Sequence, residues 1–102
     1  MRCCLKKSYE VNIGEFLRPV ATLWVDFKEC GIDVWTTGFG HVHSSVELGY
    51  VVAEYKGLKF ELNVYKMCVY KDGPEPEKVK CIKRAVGELV EVDGVKVYVW
   101  AR

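Results

Sequence analysis

Glutamine is absent and asparagine occurs only as Asn12 and Asn63 in a chain of 102 residues. Depletion of heat-labile amides beside abundant Lys, Glu, Val and Tyr is a signature of proteins that work hot. Charge of one sign is lacking too, since 15 basic and 14 acidic side chains leave a net +1. That balance supplies no global field to draw the chain onto nucleic acid or an anionic membrane. No apolar run approaches the length of a membrane span, and Met1-Arg2-Cys3-Cys4-Leu5-Lys6-Lys7 lacks a signal-peptide core. The expectation is a cytoplasmic, soluble protein with no membrane partner. There are only three prolines and no low-complexity stretch, while half the residues are hydrophobic, so disorder is excluded. Residues 1–102 are long enough for one core and one domain.

The five cysteines (Cys3, Cys4, Cys30, Cys68, Cys81) contain no Cys-x-x-Cys, which removes support for a zinc ribbon or a thioredoxin-like redox site. An odd count leaves at least one thiol free. Intracellular proteins of hyperthermophilic archaea do carry disulfides, so bridges are compatible with a cytoplasmic setting.

What is present is mainly hairpin signal. Glu88-Leu89-Val90-Glu91-Val92 and Val95-Lys96-Val97-Tyr98-Val99-Trp100 alternate on either side of Asp93-Gly94, a dipeptide that tolerates positive φ. Residues 51–55 and 58–64 flank Lys56-Gly57 in the same way, and residues 23–27 and 32–36 flank a longer turn. Two helices are also expected. Asp72, Pro74 and Pro76 can open one, Val79, Ile82, Val86 and Leu89 fall at helical spacing, and Gly87 supplies a stop. Near the N-terminus Ile13, Phe16, Leu17 and Val20 fit one helical face, with Asn12 and Glu15 as a capping box and Pro19 as its limit. The fold class expected is therefore α+β, an antiparallel sheet carrying two helices.

The segments also match each other in order: Cys4-Leu5 with Cys68-Val69, Leu17-Arg18 with Ile82-Lys83, Trp24 to Phe27 with Leu89 to Val92, and Gly31 to Trp35 with Gly94 to Tyr98. This suggests two degenerate strand-helix-hairpin motifs, residues 2–37 and 66–101, related by a pseudo-twofold axis and joined by residues 38–65. Cys4 and Cys68 would then be equivalent and could approach each other, or simply be buried as small apolar residues. In length, composition and paired motifs the chain resembles the small orphan proteins of hyperthermophilic archaeal viruses. The resemblance implies a viral protein made inside an archaeal host and carries over no functional residue.

Three constellations could carry chemistry. His41-Val42-His43 places two imidazoles on one strand face, where they could chelate a metal, but no third ligand is nearby and a polar loop between strands is the simpler explanation. Asp33 followed by Glu54-Tyr55-Lys56 resembles the carboxylates and lysine of PD-(D/E)xK nucleases, which hold Mg²⁺ and activate water. Lys56 falls in a turn, however, and strand-end charges are the simpler explanation. Tyr65, Lys66, Tyr70 and Lys71 with Lys78, Lys80, Lys83 and Arg84 interleave aromatic and basic groups as a nucleic-acid-binding accessory protein would, against a near-neutral total. The preferred expectation is non-catalytic and needs no cofactor. An extended peptide or partner protein is bound in a groove or sheet edge between the two motifs, lined by Trp24, Trp35, Tyr98 and Trp100, and a homodimer is compatible with it. The ordinary alternative for those aromatics is the core of a small sheet protein.

Overall fold

The structure, a computed structural model, describes residues 4–15 and 17–102, and of residues 85 and 86 it describes the backbone. Ten strands form: β1 (Leu5–Gly14), β2 (Pro19–Lys28), β3 (Gly31–Thr37), β4 (Gly40–Ser45), β5 (Tyr50–Tyr55), β6 (Leu58–Asn63), β7 (Met67–Lys71), β8 (Glu77–Ile82), β9 (Ala85–Val92) and β10 (Val95–Ala101). They make two five-stranded antiparallel sheets in the orders β3-β2-β1-β10-β9 and β4-β5-β6-β7-β8. Strands that are consecutive in sequence are neighbours throughout each sheet, and β1 pairs with β10. The chain is thus an up-and-down meander flattened into a sandwich, crossing between sheets at β3–β4 and β8–β9.

The expected α+β class is overturned, because the described residues contain no helix. Where a helix was expected over Asp72 to Leu89, β8 and β9 form instead. Four apolar residues in a Lys/Glu-rich segment fit a helical face and a strand pair equally well, and here cross-strand pairing with β7 and β10 decides. Where the other helix was expected, β1 runs on to Gly14 and β2 starts at Pro19, the strand position where a missing N–H costs least. A single turn between them is closed by Arg18 N–H donating to the Glu15 carbonyl at 3.1 Å, and Phe16 lies outside the described residues. The paired motifs fail with the helices. Residues 5–37 supply three strands to one sheet, whereas the stretch from Met67 to Ala101 splits four strands between the two. No helix among the described residues is long and apolar enough to cross a membrane.

The three expected hairpins do form, with Asp93 (φ 49°) and Lys56 (φ 32°) both in the left-handed region at their turns. Between the sheets the two-residue period is plain on β5, β6 and β10, while β7 buries Met67, Cys68 and Val69 in succession and β8 is exposed from Glu77 to Lys80. Tyr9, Val11 and Ile13, then Ala21, Leu23, Val25 and Phe27, then Val97, Val99 and Ala101 point in from the first sheet. Val51, Ala53, Leu58, Phe60, Leu62, Met67 and Val69 answer from the second. At the β3–β4 crossing Gly38 has φ 79° and lies so close to β2 that a Cβ would fall 2.6 Å from the Val20 carbonyl oxygen. Only glycine allows the chain to leave the first sheet there.

Two side-chain ties add to the backbone ladders. Cys68 on β7 and Cys81 on the edge strand β8 are direct partners and form a disulfide, with Cα atoms 4.0 Å apart. The approach of Cys4 to Cys68 is therefore not realised; Cys4 is a free, exposed thiol, and Cys30 is disulfide-bonded. The Cys68–Cys81 bridge spans 13 residues, and a loop of that size lowers unfolded-state entropy by the equivalent of about 3 kcal/mol. Replacing both with alanine should lower the unfolding free energy by about that amount in a urea titration.

The second tie is Tyr9, fully buried, whose hydroxyl donates to the Asn63 carbonyl at 2.7 Å and so fastens the middle of the first sheet to the end of β6. Burial pushes its phenol up to about 12. A folded-state value above the unfolded one of about 10 means that the neutral form is favoured on folding. Its contribution is complete below about pH 10 and is lost as pH rises towards 12. Tyr9→Phe should cost about 1 kcal/mol at neutral pH and flatten the alkaline fall in urea midpoint; an unchanged slope would contradict this.

Candidate binding face on the first sheet

The residues of the first sheet that do not enter the core form an outer face arranged in cross-strand rows. Pairing places Trp35 opposite Trp24, Trp24 opposite Glu10, and Glu10 opposite Trp100. One row is therefore Trp35, Trp24, Glu10, Trp100 across β3, β2, β1 and β10. The row on one side is Thr37, Thr22, Asn12, Tyr98, Leu89, and on the other side Asp33, Asp26 and Ser8 are followed by Arg102. The four aromatic residues expected to bind a partner all lie on this face. Trp24 and Trp35 are 39% and 56% exposed, which removes them from the core.

The polar groups between them are held in place. Thr22 Oγ1 donates to Asn12 Oδ1 at 2.9 Å, and Asn12 Nδ2 donates in turn to Glu10 Oε2 at 3.0 Å. Ser8 Oγ donates to Asp26 Oδ1 at 2.7 Å. Each carboxylate thus has one oxygen fixed by a neighbour and a second outside these bonds. Asp33 is occupied differently, accepting from Lys28 Nζ, and that hydrogen bond to a carboxylate raises the Lys28 pKa. A cavity of about 630 Å³ opens on this face, with Trp24 and Trp100 among its walls and Glu10, Asp26 and Ser8 in its lining. Sequence reading missed Glu10, Asp26, Ser8 and Asn12. Their alternation with Tyr9, Val11 and Ile13 was the available signal.

Trp100 is seated by Gly87 of β9. With φ 71° and an ideal Cβ only 3.0 Å from the indole Cη2, this position admits no side chain without displacing the ring. Gly87→Ala should destabilise by about 1–3 kcal/mol through combined strain and overpacking, and should shift the Trp100 indole resonance in an NMR spectrum while leaving that of Trp35 in place.

The other expected sites are not assembled. Asp33 projects from β3 on the outside of the first sheet, whereas Glu54 alternates with buried Val51 and Ala53 on β5 and faces out from the second. Lys56 sits in the turn beyond, its ammonium 5.6 Å from the Tyr55 ring. His41 has φ 43°, and the β4–β5 register shifts between Gly40 and His43, so the alternation that would align the two imidazoles is broken. Among the described residues no three His, Cys, Asp or Glu groups could hold a metal ion. Of the basic residues, Lys80 pairs with Glu88 and Lys71 with Asp93, at 2.5 and 3.0 Å. No family model matches the chain, and comparison with curated proteins and with solved structures finds no match.

Proposed function

We propose that this chain is a non-catalytic interaction protein that takes an extended segment of a partner protein along the outer edge of β3, beneath the Trp24–Trp35 pair. The observation that carries the reading is the regularity of β3. Its pairing with β2 runs from Gly31 to Thr37 without a shift, whereas the other three edge strands, β4, β8 and β9, each carry an irregularity in their pairing. Bulges are a usual means of blunting an edge against strand addition, and an edge without one is a template for it. Main-chain hydrogen bonds would supply affinity of moderate selectivity, and exposed Trp35 would select a side chain on the added strand. If the resemblance to small proteins of hyperthermophilic archaeal viruses extends to this chain, its place of work is the cytoplasm of an archaeal host, where a disulfide such as Cys68–Cys81 can persist.

The test is selection from a displayed library of extended peptides, followed by hydrogen exchange of the complex. Selected peptides should slow exchange of β3 amides specifically, and Trp35→Ala should weaken them by about tenfold, equivalent to ~1.4 kcal/mol. Protection confined to β4, β8 or β9, or a library that yields no binder, would remove the proposal.

A further inference from the structure

We infer that the cavity flanked by Trp24 and Trp100 is a binding site for a single neutral sugar ring. This site shares Trp24 with the proposed peptide face but lies two and three strands inward from the β3 edge, over β1 and β10, and it does not depend on peptide addition. Its volume, about 630 Å³, falls within the range of small-molecule sites. The strand register sets its polar floor between two indoles, because Glu10 is the direct partner of Trp24 on one side and of Trp100 on the other.

The charge of the lining selects the chemistry. Two carboxylates, Glu10 and the nearly buried Asp26, are set beside two cations, Lys6 and Arg102, while the ammonium of Lys7 is turned away to the Lys83 carbonyl at 3.2 Å. An anionic ligand would meet the carboxylates and a cationic one the ammonium and guanidinium groups, so a full charge of either sign gains on one contact and loses on the next. A ligand with many hydroxyls and no charge meets no such conflict. Each hydroxyl both donates and accepts, so it can give its proton to a carboxylate oxygen and accept from a lysine or arginine. The carboxylates are already oriented, Glu10 through Asn12 and Asp26 through Ser8, which reduces the ordering cost on binding. The C–H bonds on one face of a pyranose carry slight positive charge and suit the electron-rich face of an indole, and Trp24 keeps part of its ring open for that contact.

The probes are the methyl glycosides of glucose, galactose, mannose and N-acetylglucosamine, titrated into the intact protein and followed by amide and indole NMR shifts. At least one should give saturable shifts at Ser8, Glu10 and the Trp24 indole, with a Kd of order 1 mM. Glu10→Ala and Trp24→Ala, each checked for an unchanged folded spectrum, should weaken it at least tenfold, while Trp35→Ala should leave it within twofold. Saturation by none of the four would overturn the inference. So would binding that survives both cavity variants, binding abolished by Trp35→Ala alone, or stronger shifts at these resonances from sulfate or tetramethylammonium than from any glycoside.

Discussion

The pairing of β1 with β10 is the contact on which the outer face of the first sheet depends. It is anchored by reciprocal backbone bonds, Ser8 N–H to the Arg102 carbonyl at 3.1 Å and Arg102 N–H to the Ser8 carbonyl at 2.9 Å. From there the register runs through Glu10 and Trp100 to Ile13 and Val97. A slip of one residue would turn Trp100 inward and Val99 outward, exchanging an aromatic wall for a methyl surface and forcing an indole into a filled core. The same alternation that buries Tyr9, Val11 and Ile13 therefore sets Ser8, Glu10 and Asn12 in a line on the other side. Core packing and site geometry are two faces of a single register.

The local parts of this fold could be read from the chain and the non-local parts could not. Hairpins at Asp93-Gly94 and Lys56-Gly57 announce themselves because the turn chemistry and both alternating flanks lie within about a dozen residues. The segment from Asp72 to Leu89 misleads because Val79, Ile82, Val86 and Leu89 satisfy a helical face, while the facts that exclude a helix lie elsewhere. Cys81 is bridged to Cys68, and Gly87, which looks like a helix stop, is the seat of an indole from another strand. At the N-terminus, ending the first strand early and starting a helix at Ile13 hid ten continuous residues of β1.

The candidate face shows the same division. Trp24, Trp35, Tyr98 and Trp100 each alternate with an apolar neighbour that takes the core side, so their placement on one side of a strand is legible residue by residue. That they share a sheet face with Glu10, Asn12 and Asp26 is a statement about which strands are neighbours, and nothing within a single strand encodes it. The expected groove between duplicated halves had the right aromatics and the wrong architecture. The nuclease constellation failed for a related reason: Asp33 and Glu54 are close in sequence, but the β3–β4 crossing at Gly38 sends them to opposite exteriors.

The order of strands also bears on how the chain reaches this state. Among the described residues seven of the eight pairings join strands adjacent in sequence, so most of the structure can grow by zippering from turns whose loop-closure cost is small. The exception, β1 with β10, must bring together segments from the two ends of the described chain. It gains its hydrogen bonds only after that entropy has been lost. Ring closure is thus the natural last event of folding, and until it happens β1 and β10 each present an unpaired edge. A chain of this topology would spend its vulnerable time as an open, strand-edged meander, and the rate of that one closure would govern its exposure to aggregation.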